Sequence, residues 1–139
     1  MLIVPAANAQ DYPTTGVSMW QCDFAHMGEF VESVNTYMQP AAQAMVDEGS
    51  LINWGMLTHQ WGDEWNVVFY TTAADTEAFL AANEELNRRT TENVEAAGED
   101  PEESNPFMKW CSAHRDNIYT HVSGAAPGMV ASTEMEDGQ

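Results

Sequence analysis

Positive charge is what this chain lacks most. Four Lys and Arg residues stand against 22 Asp and Glu, a formal net charge of -18 over 139 residues. Such a surface repels phosphate backbones and anionic lipid head groups, so nucleic acid is not an expected partner. Its plain reading is a solvated acidic surface; an acidic docking face for a basic partner is the other. Long apolar runs are missing as well. No stretch approaches the length of a membrane span, so no membrane insertion is expected. There is no glycine-rich phosphate loop and no convincing set of nucleophile, base and orienting group. The sequence therefore names no reaction and calls for no cofactor. Cysteine is down to Cys22 and Cys111. Such a pair invites one disulfide in an oxidising compartment, the alternative being two buried thiols.

What is present fits one domain with one core: 44% of the residues are hydrophobic. The chain divides into a leader remnant and linker over residues 1–14, a folded domain over 15–123 and a flexible acidic tail over 124–139. Leu2 to Pro5 read as the end of an apolar signal core. Ala7-Asn8-Ala9 matches a small-x-small cleavage site that would leave Gln10 as the new terminus. The expectation is an exported protein, periplasmic or secreted. The basic residues are Arg88, Arg89, Lys109 and Arg115. Among so many carboxylates, each is expected to have an acidic neighbour.

Val17 to Cys22 has strand composition, with Met19 and Trp20 on opposite faces. From Gly28 to about Glu48 the residues Phe30, Val34, Met38, Ala41, Ala42 and Met45 recur at helical steps. Pro40 falls inside this pattern and predicts a kink or a split, and Gly49 a stop. Leu51 to Trp61 reads as a second strand, Gly62-Asp-Glu64 as a turn and Trp65 to Thr71 as a third strand. Thr72-Ala-Ala-Asp75 resembles a capping box before a helix that runs to Arg89 and extends toward Gly98. Phe79, Ala82, Asn83 and Leu86 mark its inner stripe. Gly98 to Pro106 is an acidic loop broken by two prolines, suited to act as a lid. Phe107 to His114 predicts a short helix, and Asp116 to Val122 a fourth strand.

The order is βαββαβ, the split unit of α+β ferredoxin-like folds: a four-stranded antiparallel sheet with two helices on one face. The other face carries large apolar residues, which two copies packed sheet to sheet would bury. The run Gly28-Glu-Phe-Val-Glu, then Tyr37-x-x-Pro40, Met45-x-x-Glu48-Gly49 and Trp54-Gly55 resembles an uncharacterised, often exported group within the dimeric α/β-barrel superfamily. The resemblance covers about Val17 to Phe79, with a weaker echo at His114 to Tyr119. It implies a homodimeric barrel. The superfamily includes cofactor-free monooxygenases and haem-degrading and chlorite-detoxifying enzymes, but no catalytic signature of theirs maps onto this chain.

That fold implies the sheet order 4-1-3-2, which brings the end of strand one to the start of strand four. Cys22 and Cys111 then share a rim, which favours a disulfide. Asp23, His26, His114 and Arg115 lie on the same rim. Zinc held by Cys22, His26, Cys111 and His114 is the lesser alternative, because the spacing is not a standard finger and exported thiols oxidise. His59, Trp61 and His121 are assigned to the opposite rim. His59 and His121 fall on outer strands about 14 Å apart, so only a dimer would let them share a ligand. Trp20, Trp54, His59, Phe69 and Tyr119 are the candidate ligand-binding residues of a cavity between sheet and helices, suited to a small apolar or aromatic molecule. Two rival readings are a cofactor-free monooxygenase-type enzyme, with His59, Trp54 or Tyr119 positioning a carbon acid, and an accessory subunit docking on a larger assembly.

Overall fold

The computed structural model describes residues 12–123. Residues 1–11, most of the segment expected as leader and linker over 1–14, and the expected tail over 124–139 lie outside the described residues. Strand β1 (Thr14–Cys22) leads through a short 3-10 turn (Phe24–His26) into helix α1 (Met27–Ser33), a π-helical segment (Val34–Met38) and helix α2 (Gln39–Asp47). Strands β2 (Asn53–Thr58) and β3 (Val67–Ala73) follow, then the long helix α3 (Thr76–Ala96), the short helix α4 (Pro106–Trp110) and strand β4 (Cys111–Thr120). The sheet order is β2-β3-β1-β4, antiparallel throughout. β1 begins at Thr14, a buried residue assigned above to the linker.

Pro40 acts one turn before its own position. It has no N–H to return to a carbonyl four residues back. The turn ahead of it widens, and the Gln39 N–H reaches back five residues to the Val34 carbonyl. The helix is therefore bulged. On one side of the bulge, Phe30 and Val34 pack with Val67 and Phe107. On the other, Ala41, Ala42 and Met45 pack with Leu51, Phe79 and Leu86. Met38 touches both clusters. Gly49 ends α2 at φ 84°, and the Ser50 N–H closes on the Met45 carbonyl at 2.9 Å.

Other boundaries differ from the sequence expectation. α3 is capped by Asp75, whose carboxylate accepts from the Ala78 N–H at 2.7 Å. Thr72 belongs to β3, where its hydroxyl meets that of Thr15 at 2.7 Å, so no capping box forms. The β2–β3 connection is longer than a tight hairpin, and Asn66, whose carbonyl accepts from the His59 N–H at 3.0 Å, ties it to β1. Its side chain accepts from the Cys22 N–H at 2.7 Å and donates to the Cys22 carbonyl at 2.6 Å. β4 starts at Cys111, so Cys111, Ala113 and His114 pair with β1 where a helix was expected.

The Cys22 and Cys111 sulfurs are bonded and join the facing ends of β1 and β4. They close a loop with a sequence separation of 89, which contributes about 4–5 kcal/mol by restricting the unfolded chain. Strand alternation then sorts the sheet into two faces. Gly16, Ser18 and Trp20 lie on the helix side, where the Phe79 ring sits so close over Gly16 that a Cβ there would fall 2.2 Å from it. Val17, Met19, Leu57, Val68, Tyr70 and Tyr119 lie on the open side. Leu57 and Tyr119 remain 56% and 51% exposed there.

Candidate functional site

The helices pack over one face of the sheet in two core clusters, with Met38 touching both. A cleft of about 580 Å³ opens between these helices and the sheet. Its floor is Gly16, Ser18 and Trp20 of β1, Phe69 and Thr71 of β3, and Asp116 and Ile118 of β4. α3 supplies one wall with Phe79, Asn83, Leu86, Asn87 and Thr90. Val34, Tyr37 and Met38 of the π-helical bulge and Phe107 and Met108 of α4 form the other. Pro101, Ser104 and Asn105 bring the acidic loop to the rim.

Aromatic contacts fix the shape of one end. The Trp20 ring lies 4.6 Å from Phe107 and stacks on His114 at 4.4 Å with 21° between planes. Phe30 meets Phe107 edge-on at 4.9 Å. The polar groups run beside this stack. The Ser18 hydroxyl donates to the Asp116 carboxylate, whose other oxygen lies 3.4 Å from His114 Nε2. Across the cleft, the Glu99 carboxylate neighbours the Tyr37 hydroxyl. Hydrogen bonding toward Glu99, with lesser contributions from desolvation and from the Glu99 charge, holds the phenol above its ordinary pKa. The Asn93 side chain donates to the Tyr37 carbonyl at 2.9 Å and fixes the segment from below. Thr90 Oγ1 is buried and makes no hydrogen bond.

Of the residues proposed from sequence, Trp20 and Phe69 lie on the cleft floor. Trp54 shares their sheet face but not the cleft. Its indole N–H donates to Gln43 Oε1 at 3.3 Å, and its ring lies 6.5 Å from Phe69 in the α2 cluster. Tyr119 is on the open face, because Ile118 beside it takes the cleft side. His59 lies beyond the end of β2, with Nε2 3.7 Å from Asp63.

The rim assignment of His59 needs correction. β2 runs in the same direction as β1, so its end at Thr58 lies beside Val67 and Trp20, on the disulfide side. His121, by contrast, lies at the other end, where its Nε2 meets the Thr15 hydroxyl at 2.7 Å. Trp61 is almost fully exposed. On the disulfide rim, His26 bonds Glu29 at 2.7 Å and stacks on Trp110 at 5.6 Å. With both sulfurs in the disulfide, neither cysteine is a thiolate that could join His26 and His114 around a metal. Among the described residues, no group of three or more His, Cys, Asp or Glu is arranged to hold a metal ion, and no helix is long and apolar enough to cross a membrane.

Sequence reasoning missed Ser18, Tyr37, Asn83, Asn87 and Asp116 as cleft groups. Only Asn83 carried a signal, as a polar residue inside an apolar helical stripe. The arrangement does not make a serine nucleophile. Ser18 is turned toward a carboxylate, not toward an imidazole that would take its proton.

No protein-family model matches the sequence, and no curated protein matches it either. Solved structures do match. A NIPSNAP-like domain protein from Burkholderia xenovorans superposes with a TM-score of 0.60 at 14% identity, over 84% of this chain and 90% of that one. A dimeric ferredoxin-like protein from an uncultured marine organism gives 0.57 at 11% identity, over 83% and 91%. The chain has the α+β ferredoxin-like fold. This is the fold of the dimeric α/β-barrel proteins. A candidate antibiotic biosynthesis monooxygenase from Nitrosomonas europaea shares it, with a TM-score of 0.53 at 12% identity over 81% of this chain and 93% of that one.

Proposed function

We propose that this domain is an exported, homodimeric binding protein for a small, planar, largely apolar molecule. The observation that carries the reading is the cleft: about 580 Å³, floored by the Trp20 and Phe69 rings and flanked by Phe79 and Phe107. Its volume suits a small organic ligand, and polar groups on the floor and on the α3 wall, among them Asp116, Asn83 and Asn87, are available to orient one. The disulfide supports an oxidising compartment. The open apolar face of the sheet supports dimerisation.

Titration with N-phenyl-1-naphthylamine, a neutral probe that brightens in apolar surroundings, tests the site. Trp20→Ala is expected to weaken binding about tenfold, the loss of one aromatic stack, while Trp54→Ala leaves affinity unchanged. Equal affinities of the two folded variants would place binding elsewhere.

A second reading, a cofactor-free monooxygenase-type enzyme, is favoured by the likeness to the Nitrosomonas protein and by the His114–Asp116 pair beside Trp20. In that reading the imidazole takes a proton from an activated carbon acid and the aromatic walls exclude water. Oxygen uptake with a polyphenol, lost in His114→Ala, is its expected sign.

A further inference from the structure

The cleft's charge is one-sided, and this narrows the class of ligand. All four Lys and Arg residues of the chain lie within the described residues, and none lines the cleft. Arg88 is engaged by Glu85 and Glu92, and Arg89 by Glu48 and Glu85. Lys109 sits 4.9 Å over the Trp110 ring. Arg115 sits 4.6 Å over Trp65, its strand position facing the open side of the sheet. An anion entering the cleft would meet no cationic side chain. It would meet the Asp116 carboxylate, which the Ser18 hydroxyl holds in place and His114 Nε2 approaches at 3.4 Å, beside the Trp20 and Phe69 rings of the floor. The rim loop adds Glu99, Asp100, Glu102 and Glu103.

A carboxylate beside aromatic faces is the arrangement that recognises an organic cation, through ion pairing at one end and cation–π attraction along the body. The overall charge of -18 steers such a ligand toward the protein. We infer that the cleft selects a planar aromatic cation, such as a protonated or quaternary ring nitrogen base, over neutral and anionic molecules of the same shape. This rests on the ligand-binding reading above and specifies its substrate class.

Three probes of one shape test it: N-methylquinolinium, 1-methylnaphthalene and 1-naphthoate, titrated at pH 8 and followed by protein chemical-shift changes. The cation is expected to bind about tenfold tighter than the neutral probe at low salt, with 1-naphthoate weakest. That advantage should shrink several-fold at about 0.5 M salt, where the Debye length falls below about 5 Å. Asp116→Asn should remove the cation's advantage and leave 1-methylnaphthalene unchanged. Asp47→Asn, a carboxylate outside the cleft, serves as control. Equal binding of cation and neutral probe in the unmodified protein would overturn the charge selection while leaving the cleft a ligand site. Equal losses in Asp47→Asn and Asp116→Asn would overturn it too, as diffuse attraction. If no probe binds, the ligand-binding reading itself falls.

Discussion

Gly16 is the position where one methyl group would be felt most. An added Cβ would stand 2.2 Å from the Phe79 ring, and Phe79 is both core and cleft wall. Gly16→Ala is expected to destabilise the domain by about 1–3 kcal/mol through overpacking, measured by urea unfolding with an unchanged slope. Gly28→Ala, in α1 with nothing within 4 Å of the new carbon, should instead be neutral or stabilising by about 0.5–1 kcal/mol. At this scale the sequence disclosed the cleft unevenly. Trp20 and Phe69 were legible because bulky residues in strands must pack on one face or the other. Tyr119 was not, because an edge strand carries apolar residues on both faces and only the register with β1 tells which looks inward. Asp116 bore no mark at all. Its place in the cleft depends on Ser18, a residue 98 positions away that becomes its neighbour across the ladder.

The contact between α2 and α3 is an acid-sensitive joint. Arg89 spans the two, bonding Glu48 at the end of α2 and Glu85 on its own helix. Hydrogen bonds from Arg88, then Arg89, lower the Glu85 pKa to about 2. A bond from Arg89 also lowers that of Glu48, against a smaller opposing effect of desolvation. A depressed carboxylate holds fewer protons folded than unfolded, so its contribution is present above the unfolded value near 4.5 and lost as pH falls toward about 2. The melting temperature should therefore drop between pH 5 and pH 2, and drop less in Arg89→Met, as circular dichroism melts at each pH would show. The elements themselves were mostly legible because their periodicities are strong. The exceptions are local. The bulge before Pro40 replaces a kink because the helix reaches the proline with a spare residue to absorb. β4 begins early because a disulfide and a ladder, neither visible in a short window, overrule the helical look of Phe107 to His114.

At the level of the whole molecule, the sheet has one face covered by helices and one that presents Val17, Leu57, Tyr70 and Tyr119. A second copy is the expected cover. Light scattering at micromolar concentration should give twice the 15.4 kDa chain mass, and Leu57→Glu should return it to the single-chain value, since a charge on that face would be buried without a partner. A single-chain mass for the unmodified protein would remove the barrel assembly and leave the fold untouched. The topology was the most legible feature of all. Six alternating elements of these lengths admit few arrangements, and the pairing of Cys22 with Cys111 follows from the one they adopt.

The disulfide also decides how the domain would behave under tension. Thr14 pairs with Thr120 at one end of the β1–β4 ladder, and Cys22 is bonded to Cys111 at the other. Pulling on Thr14 and Thr120 opens that ladder rung by rung, as a zipper, until the force reaches the sulfur bridge. From there the load passes straight through the bond, and the intervening chain, from the first helix to α4, hangs slack as a covalent ring. An optical trap should record a lengthening of roughly 65 Å in the oxidised protein, from two released strands at about 3.4 Å per residue. Once the bridge is reduced, the same pull should draw out roughly 360 Å. The bridge thus works as a mechanical bypass that keeps force away from the cleft walls.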